Sequence, residues 1–143
     1  ALPMVRYRTG DISSISDEPC ACGRTTARMS RVRGRYDDML IIRGVNLYPS
    51  EVERILLSVG DVAPHYQLVV ERKGSLDHVT VEVEASQDVA QGADAYARLA
   101  GAARHQIKSM IGITTDVVVK KPGDIPRSMG KAVRVRDLRP KVT

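Results

Sequence analysis

The sequence encodes an α+β domain, and three patterns in it say so. Residues 65–72 and 77–85 carry apolar side chains at alternate positions (Tyr66, Leu68, Val70; Val79, Val81, Val83), the period of a strand with one buried face. Residues 50–59 and 94–111 space theirs by three and four, the period of an amphipathic helix. With further short apolar runs at 39–43 and 115–120, the elements follow in the order β-α-β-β-α-β. That is the ferredoxin-like split arrangement, with both helices on one face of the sheet.

Taken in order, residues 7–11 read YRTGD, a Thr-Gly-Asp turn. Residues 12–16 and 26–32 follow as two strands of a hairpin, joined across 17–24, where Cys20-Ala21-Cys22-Gly23 stands. Met39, Leu40, Ile41 and Ile42 form an apolar run of strand length, stopped by Arg43-Gly44. Pro49 and Ser50 open a helix, Ser50 and Glu53 reading as a capping box, and Gly60 stands where a C-cap glycine belongs. Val52, Ile55, Leu56 and Val59 mark its buried stripe.

The strands at 65–72 and 77–85 are turned by Lys73-Gly74-Ser75, and the charged alternate positions Glu82 and Glu84 predict a sheet covered on one side only. A polar joint at 87–94 leads to a helix with the stripe Tyr96, Leu99, Ala103, Ile107 and Met110, ending at Gly112. Val117 and Val119 belong to the next strand. The tail contains IPRSMGKAVRVRD, where Val133 and Val135 alternate with arginines as a short closing strand.

Bulk properties narrow the function. A chain of 143 residues is one domain with a small appendage, and 43% apolar content without Phe or Trp means a core of Val, Ile, Leu and Ala. No uninterrupted apolar run approaches membrane-span length, so the expectation is a cytoplasmic protein with no membrane partner. The net charge of +5 is spread along the chain, and five tyrosines are the only aromatics. That is a poor stacking platform, and nucleic acid is not an expected partner. Ala1 is not a start residue and runs straight into a motif, the pattern of a piece cut from a longer chain.

Gly123 and Gly130-Lys131 do not make a P-loop: six residues separate the glycines where four are required, and Ala132 replaces the magnesium-binding hydroxyl. Instead YRTGD, GRYDD at 34–38, the turn at Gly44 and PRSMGK at 126–131 occur in an order that resembles the adenylate-forming acyl-CoA ligases. GRYDDMLIIRGVNLYPSEVE, PHYQL and IGI are similar to the phenylacetate–CoA ligase branch in particular. The resemblance implies that residues 1–36 end an N-terminal domain and approach a hinge, and that 37–143 form a mobile C-terminal lid.

It also implies the roles of single residues. Asp11 would accept hydrogen bonds from both ribose hydroxyls of ATP, its two oxygens suiting a vicinal diol. Arg35 would reach the same ribose, although by itself it reads as the partner of Asp37 or Asp38 in a surface ion pair. Asp37 would be the hinge, Gly44 would line the CoA channel where a side chain would obstruct, and Lys131 would be the catalytic cation at the adenylation step. Without these companions Lys131 is an exposed lysine in a Gly/Pro loop. ATP, CoA and Mg2+ follow as requirements of the parent enzyme, with a small aryl carboxylic acid as substrate. An N-terminal adenylation domain follows as partner, with the phosphate loop and the magnesium site in it, so the 143 residues alone are expected to be inactive.

Cys20 and Cys22 stand apart from this chemistry. Two thiolates followed by glycine read either as half of a tetrahedral Zn2+ site or as free thiols at an exposed turn. Against the ligase stands a ferredoxin-like ligand-binding or regulatory module. It accounts for the element order and the acidic outer face, but not for YRTGD, GRYDD and PRSMGK together.

Overall fold

The computed structural model describes residues 7–89, 92–127 and 133–140. It begins with a long hairpin in two ladders: β1 (Asp11–Ile12) pairs antiparallel with β4 (Gly34–Arg35), and β2 (Ile15–Ser16) with β3 (Arg28–Met29). Backbone bonds from Tyr36 to Gly10 (2.9 Å), Arg33 to Ile12 (2.9 Å) and Ser30 to Ser14 (2.8 Å) join the ladders into one structure, as the sequence led us to expect. A 3-10 turn, Tyr36–Asp38, then leads into the layered part of the molecule.

That part holds β5 (Leu40–Ile42), β6 (Val45–Leu47), α1 (Pro49–Val59), β7 (Val62–Lys73), β8 (Leu76–Ala85), α2 (Ala93–Ile111), β9 (Asp116–Lys120) and β10 (Val135–Asp137). Four strands form a mixed sheet in the order β10-β7-β8-β9, with β7 and β8 antiparallel and each edge strand parallel to its neighbour. The β7–β8 connection needs only Gly74 and Ser75, Gly74 taking the positive φ of 63° that the first central position of a type II′ turn demands. Tyr66, Leu68, Val70, Val79, Val81, Val83 and Val117 point to one face and are buried there. Val52, Ile55 and Leu56 of α1 and Leu99, Ala103 and Ile107 of α2 close over them. Each fully buried aliphatic side chain contributes about 1.5–3 kcal/mol, so this layer is what holds the domain together. The opposite face is polar, with Lys120 on Glu82 at 3.3 Å and His78 on Asp116 at 2.8 Å.

Two helices on a mixed sheet give the expected α+β class, with three local differences. The strand predicted at 39–43 is not in the sheet: β5 turns back at Arg43-Gly44 and pairs with β6, Ile42 facing Val45. Arg43 and Gly44 both have positive φ (51° and 81°), the signature of a type I′ hairpin, and this turn closes β5 on its own partner before it can reach β7. The place beside β7 goes to β10, so the sheet-and-helix order along the chain is α-β-β-α-β-β. Second, Ser50 and Glu53 do not form a capping box. Helix α1 starts a residue earlier, with Tyr48 as N-cap and Pro49 in the first turn, where its missing N–H costs nothing. Ser50 Oγ donates instead to the Arg33 carbonyl at 2.9 Å, and Glu53 binds Arg134 at 3.0 Å. Third, Met110, expected in the buried stripe of α2, is exposed, and its neighbour Ile111 packs against the core instead. Gly60 and Gly112 do end their helices, each at positive φ (80° and 85°).

Candidate functional site

The hairpin brings Asp11 and Arg35 directly opposite each other in the β1–β4 ladder, although 24 positions separate them in sequence. Beneath them lies Gly10 at a φ of 79°, its backbone so close that a Cβ there would meet Arg35, Tyr36 and Asp37 at 3.4 Å. Arg35 is engaged: Nε and one terminal nitrogen donate to the two carboxylate oxygens of Asp37 at 2.9 and 2.7 Å, a bidentate fork. That bond and the charge of Asp37, with lesser help from Asp38 and Asp11, raise the Arg35 pKa further above its ordinary value. The ion-pair reading of Arg35 is therefore the arrangement observed. Asp11 is exposed, and its amide is held by Thr9 Oγ1 at 3.3 Å.

Between this hairpin and the start of α1 runs a cleft of about 720 Å³, lined by Ile12, Val32, Arg33, Tyr48, Glu51 and Arg54 among others. Its floor is narrow at one point, where a Cβ on Gly34 would come within 2.9 Å of Ser50 Oγ.

Gly44 sits at the tip of the β5–β6 hairpin with no atom within 4 Å of where a Cβ would be. Its positive φ, rather than crowding, is what calls for glycine here. Arg43 donates to the Thr114 carbonyl and Arg139 to the Ile41 carbonyl at 3.3 Å, so the tip is tied to α2's exit and to the tail. Arg139 also bridges Asp77 at 3.0 Å and Asp137 at 2.6 Å. Its hydrogen bond to Arg139 holds the Asp137 carboxyl below the usual range, and for Asp77 Arg72 acts first and Arg139 adds to it.

Lys131 lies outside the described residues. The chain leading toward it does not. A turn at 121–124, closed by the Asp124 amide on the Lys121 carbonyl at 3.1 Å, brings Ile125 and Arg127 down onto Glu84. The Ile125 amide donates to one Glu84 oxygen at 2.7 Å and Arg127 to the other at 2.8 Å. Glu84 was expected as an outward-facing charge, but it is only 1% exposed because this segment covers it. Strand alternation carries no trace of that cover. The β5–β6 hairpin, by contrast, has a local signal that could have found it, Arg43-Gly44 between apolar Ile42 and Val45.

At the far end of the hairpin, the Cys20 and Cys22 sulfurs are 3.1 Å apart as free thiols. Contact with Cys20, then the Arg24 backbone, lowers the Cys22 pKa. In a zinc tetrahedron with 2.3 Å Zn–S bonds the sulfurs stand about 3.8 Å apart, so the observed spacing is that of an S–H···S contact. Among the described residues no three His, Cys, Asp or Glu side chains gather as a metal-binding group, and no helix is long and apolar enough to cross a membrane.

Comparison with known proteins gives these features a setting. The phenylacetate-coenzyme A ligase of Escherichia coli is 46% identical over 140 residues, a match covering 97% of this chain and 31% of that protein. The chain spans about a third of the length of the curated relatives it matches. A crystallised domain of phenylacetate-coenzyme A ligase from Bacteroides vulgatus is 37% identical with a TM-score of 0.67, covering 74% of this chain and 97% of that one. A 2-hydroxyisobutyryl-CoA ligase, 34% identical, was solved in several states, among them an open conformation with a TM-score of 0.67. In the postadenylation state with 2-HIB-AMP it matches with a TM-score of 0.81 over 94% of this chain and 29% of its own. In the thioesterification state with 2-HIB-AMP and CoA the TM-score is 0.67 over 96% and 29%. Residues 44–139, which run from the Gly44 turn to Arg139, match the family described as AMP-binding enzyme C-terminal domain, and the chain belongs to that family.

Proposed function

We propose that this chain is the mobile C-terminal lid of an ATP-dependent, AMP-forming CoA ligase acting on a small aryl acid of the phenylacetate type, and that it works with an N-terminal adenylation domain. In the reaction so proposed, a carboxylate oxygen attacks the α-phosphorus of ATP and displaces pyrophosphate. The CoA sulfur then attacks the acyl carbon and displaces AMP.

The observation that carries the reading is the unequal fit to two states of one ligase, 0.81 against 0.67 at nearly equal coverage. A single rigid unit would fit both states alike. The difference argues for two bodies within the matched span, and the 3-10 turn holding Asp37 is where the hairpin gives way to the layered domain. The seam fits that role: Ser50 on the Arg33 carbonyl is a bond that rotation would break at a cost of about 1 kcal/mol.

Within the scheme each residue has one task. Asp11 accepts from the ribose hydroxyls, and Arg35 joins it once its fork to Asp37 opens. Lys131 offers a point charge to the oxygens that gain charge as the α-phosphate is attacked. After rotation the bare tip at Gly44 lets pantetheine pass close to the backbone. Mg2+ would neutralise phosphate charge, and we assign its ligands to the adenylation domain. The Cys20–Cys22 pair could serve Zn2+ only with ligands from elsewhere and a wider bite.

The test separates the half-reactions in a full-length ligase carrying this chain. Lys131→Ala should slow pyrophosphate–ATP exchange by about 10²–10³-fold while thioester release from supplied acyl-adenylate stays within several-fold. Gly44→Leu should do the reverse. Equal losses in both steps for Lys131→Ala would overturn the reading.

A further inference from the structure

Glu84 is a carboxylate on the open face of the sheet, and its neighbour Glu82 on that face meets solvent in the ordinary way. Burying a carboxylate to 1% exposure costs several kcal/mol unless its oxygens are fully matched. Burial alone would raise its pKa, but the Arg127 guanidinium and the Gly123 and Ile125 amides outweigh that and hold it below the usual range. Each of these donors comes from residues 123–127, and none from the sheet that carries Glu84. Ile125 adds a buried side chain beside it, 6% exposed. Apart from this segment the carboxylate has no structural task among the described residues: the core forms on the other face.

We propose that Glu84 is a positioning residue for Lys131, clamping the chain four residues before it so that the lysine enters the adenylation site from a fixed root. This deepens the function proposed above and rests on Lys131 being the adenylation lysine. It also assigns Arg127, the other cation of PRSMGK, to the clamp rather than to substrate phosphate.

Three variants of the full-length ligase, assayed by half-reaction, test it. Glu84→Gln keeps the shape but loses the charge-assisted bond, and should lower kcat of pyrophosphate–ATP exchange about 10-fold with little change in the KM for ATP. Thioester release from supplied acyl-adenylate should stay within about 3-fold. Arg127→Ala should reproduce both results, and the double variant should be no worse than the worse single one, because the two act as a unit. On the 143-residue chain itself, hydrogen exchange should quicken at the Ile125 amide in Glu84→Gln and stay unchanged at Val81 and Val83. Arg127, half exposed, keeps the test available should Glu84→Gln fail to fold. If Lys131→Ala abolishes exchange activity but Glu84→Gln and Arg127→Ala do not lower it, the clamp is overturned and the lysine stands. If Lys131→Ala leaves adenylation intact, the function and the clamp fall together. Equal losses in both half-reactions for Glu84→Gln would also overturn the clamp.

Discussion

In the hairpin, the cross-strand partners Ile15 and Met29 are 74% and 69% exposed, whereas Leu68, Val70, Val79, Val81 and Val83 in the central strands of the sheet are fully buried. The hairpin keeps its shape through backbone bonds and a knot of serines, Ser13 Oγ donating to the Ser30 carbonyl at 2.9 Å and the Ser14 amide to Ser30 Oγ at 3.0 Å. The layered domain keeps its shape by burial. A two-stranded ribbon of this kind is marginally stable in isolation, and its exposed apolar residues add little buried core to hold it. The contrast teaches that the residues proposed to touch nucleotide, Asp11 and Arg35, sit on the part with little stability of its own, whereas the part proposed to move carries the buried core.

Substitutions should divide along the same line. Ile107→Ala empties a fully buried site in α2 and should cost about 2–5 kcal/mol, read as a lower urea midpoint for the whole domain. A loss under 1 kcal/mol would mean that the two layers are not one cooperative unit. Acid should act next. Glu84, Asp77 and Asp137 are held below their ordinary range in the fold. Their stabilisation is present above the unfolded values near about 4 and is lost as pH falls through the lower folded ones. Thermal melts from pH 6 down to pH 3 should show that loss, and Glu84→Gln should lessen it.

A smaller effect belongs to the seam. Gly34→Ala should push Ser50 Oγ off the Arg33 carbonyl and cost about 1 kcal/mol, and almost nothing further in a Ser50→Ala background. Additive costs would locate the strain elsewhere than in that contact. Smallest of all, Ile15→Thr and Met29→Thr should each change stability by less than about 0.5 kcal/mol, since neither removes buried area within the chain.

What the sequence made legible follows from which forces act locally. Alternation gave β7 and β8, and the three-and-four spacing gave α1 and α2, because a buried face stamps its period on the chain. The Thr-Gly-Asp turn and the hairpin behind it were equally plain, but the facing of Asp11 and Arg35 was not, since the ladder runs beyond the strands expected at 12–16 and 26–32. The place of β5 was not legible from its apolar run, since a strand that pairs with β6 and one that pairs with β7 need the same residues. Only the type I′ turn decided between them. Ser50 was misread because a serine before a helical stripe predicts a cap wherever its hydroxyl has no better partner, and here the Arg33 carbonyl is within reach. The burial of Glu84 was not legible because its partners come from residues about 40 positions away, joined by a loop without periodicity.

One feature of the tail bears on how a cation can be delivered. Val133 is tied to the sheet by Gln67, whose side-chain amide donates to its carbonyl at 3.3 Å, and the Leu68 amide donates to Arg134 at 2.8 Å. Arg127 is fastened at the other end. Chain geometry makes this a short tether: a residue two positions from Val133 cannot stray more than about 7 Å from it. A leash of that length lets a side chain choose its angle but not its destination. In the scheme proposed above, travel across a larger distance would be travel of the whole sheet, and the fastening of the tail would turn a loop's reach into a domain's rotation.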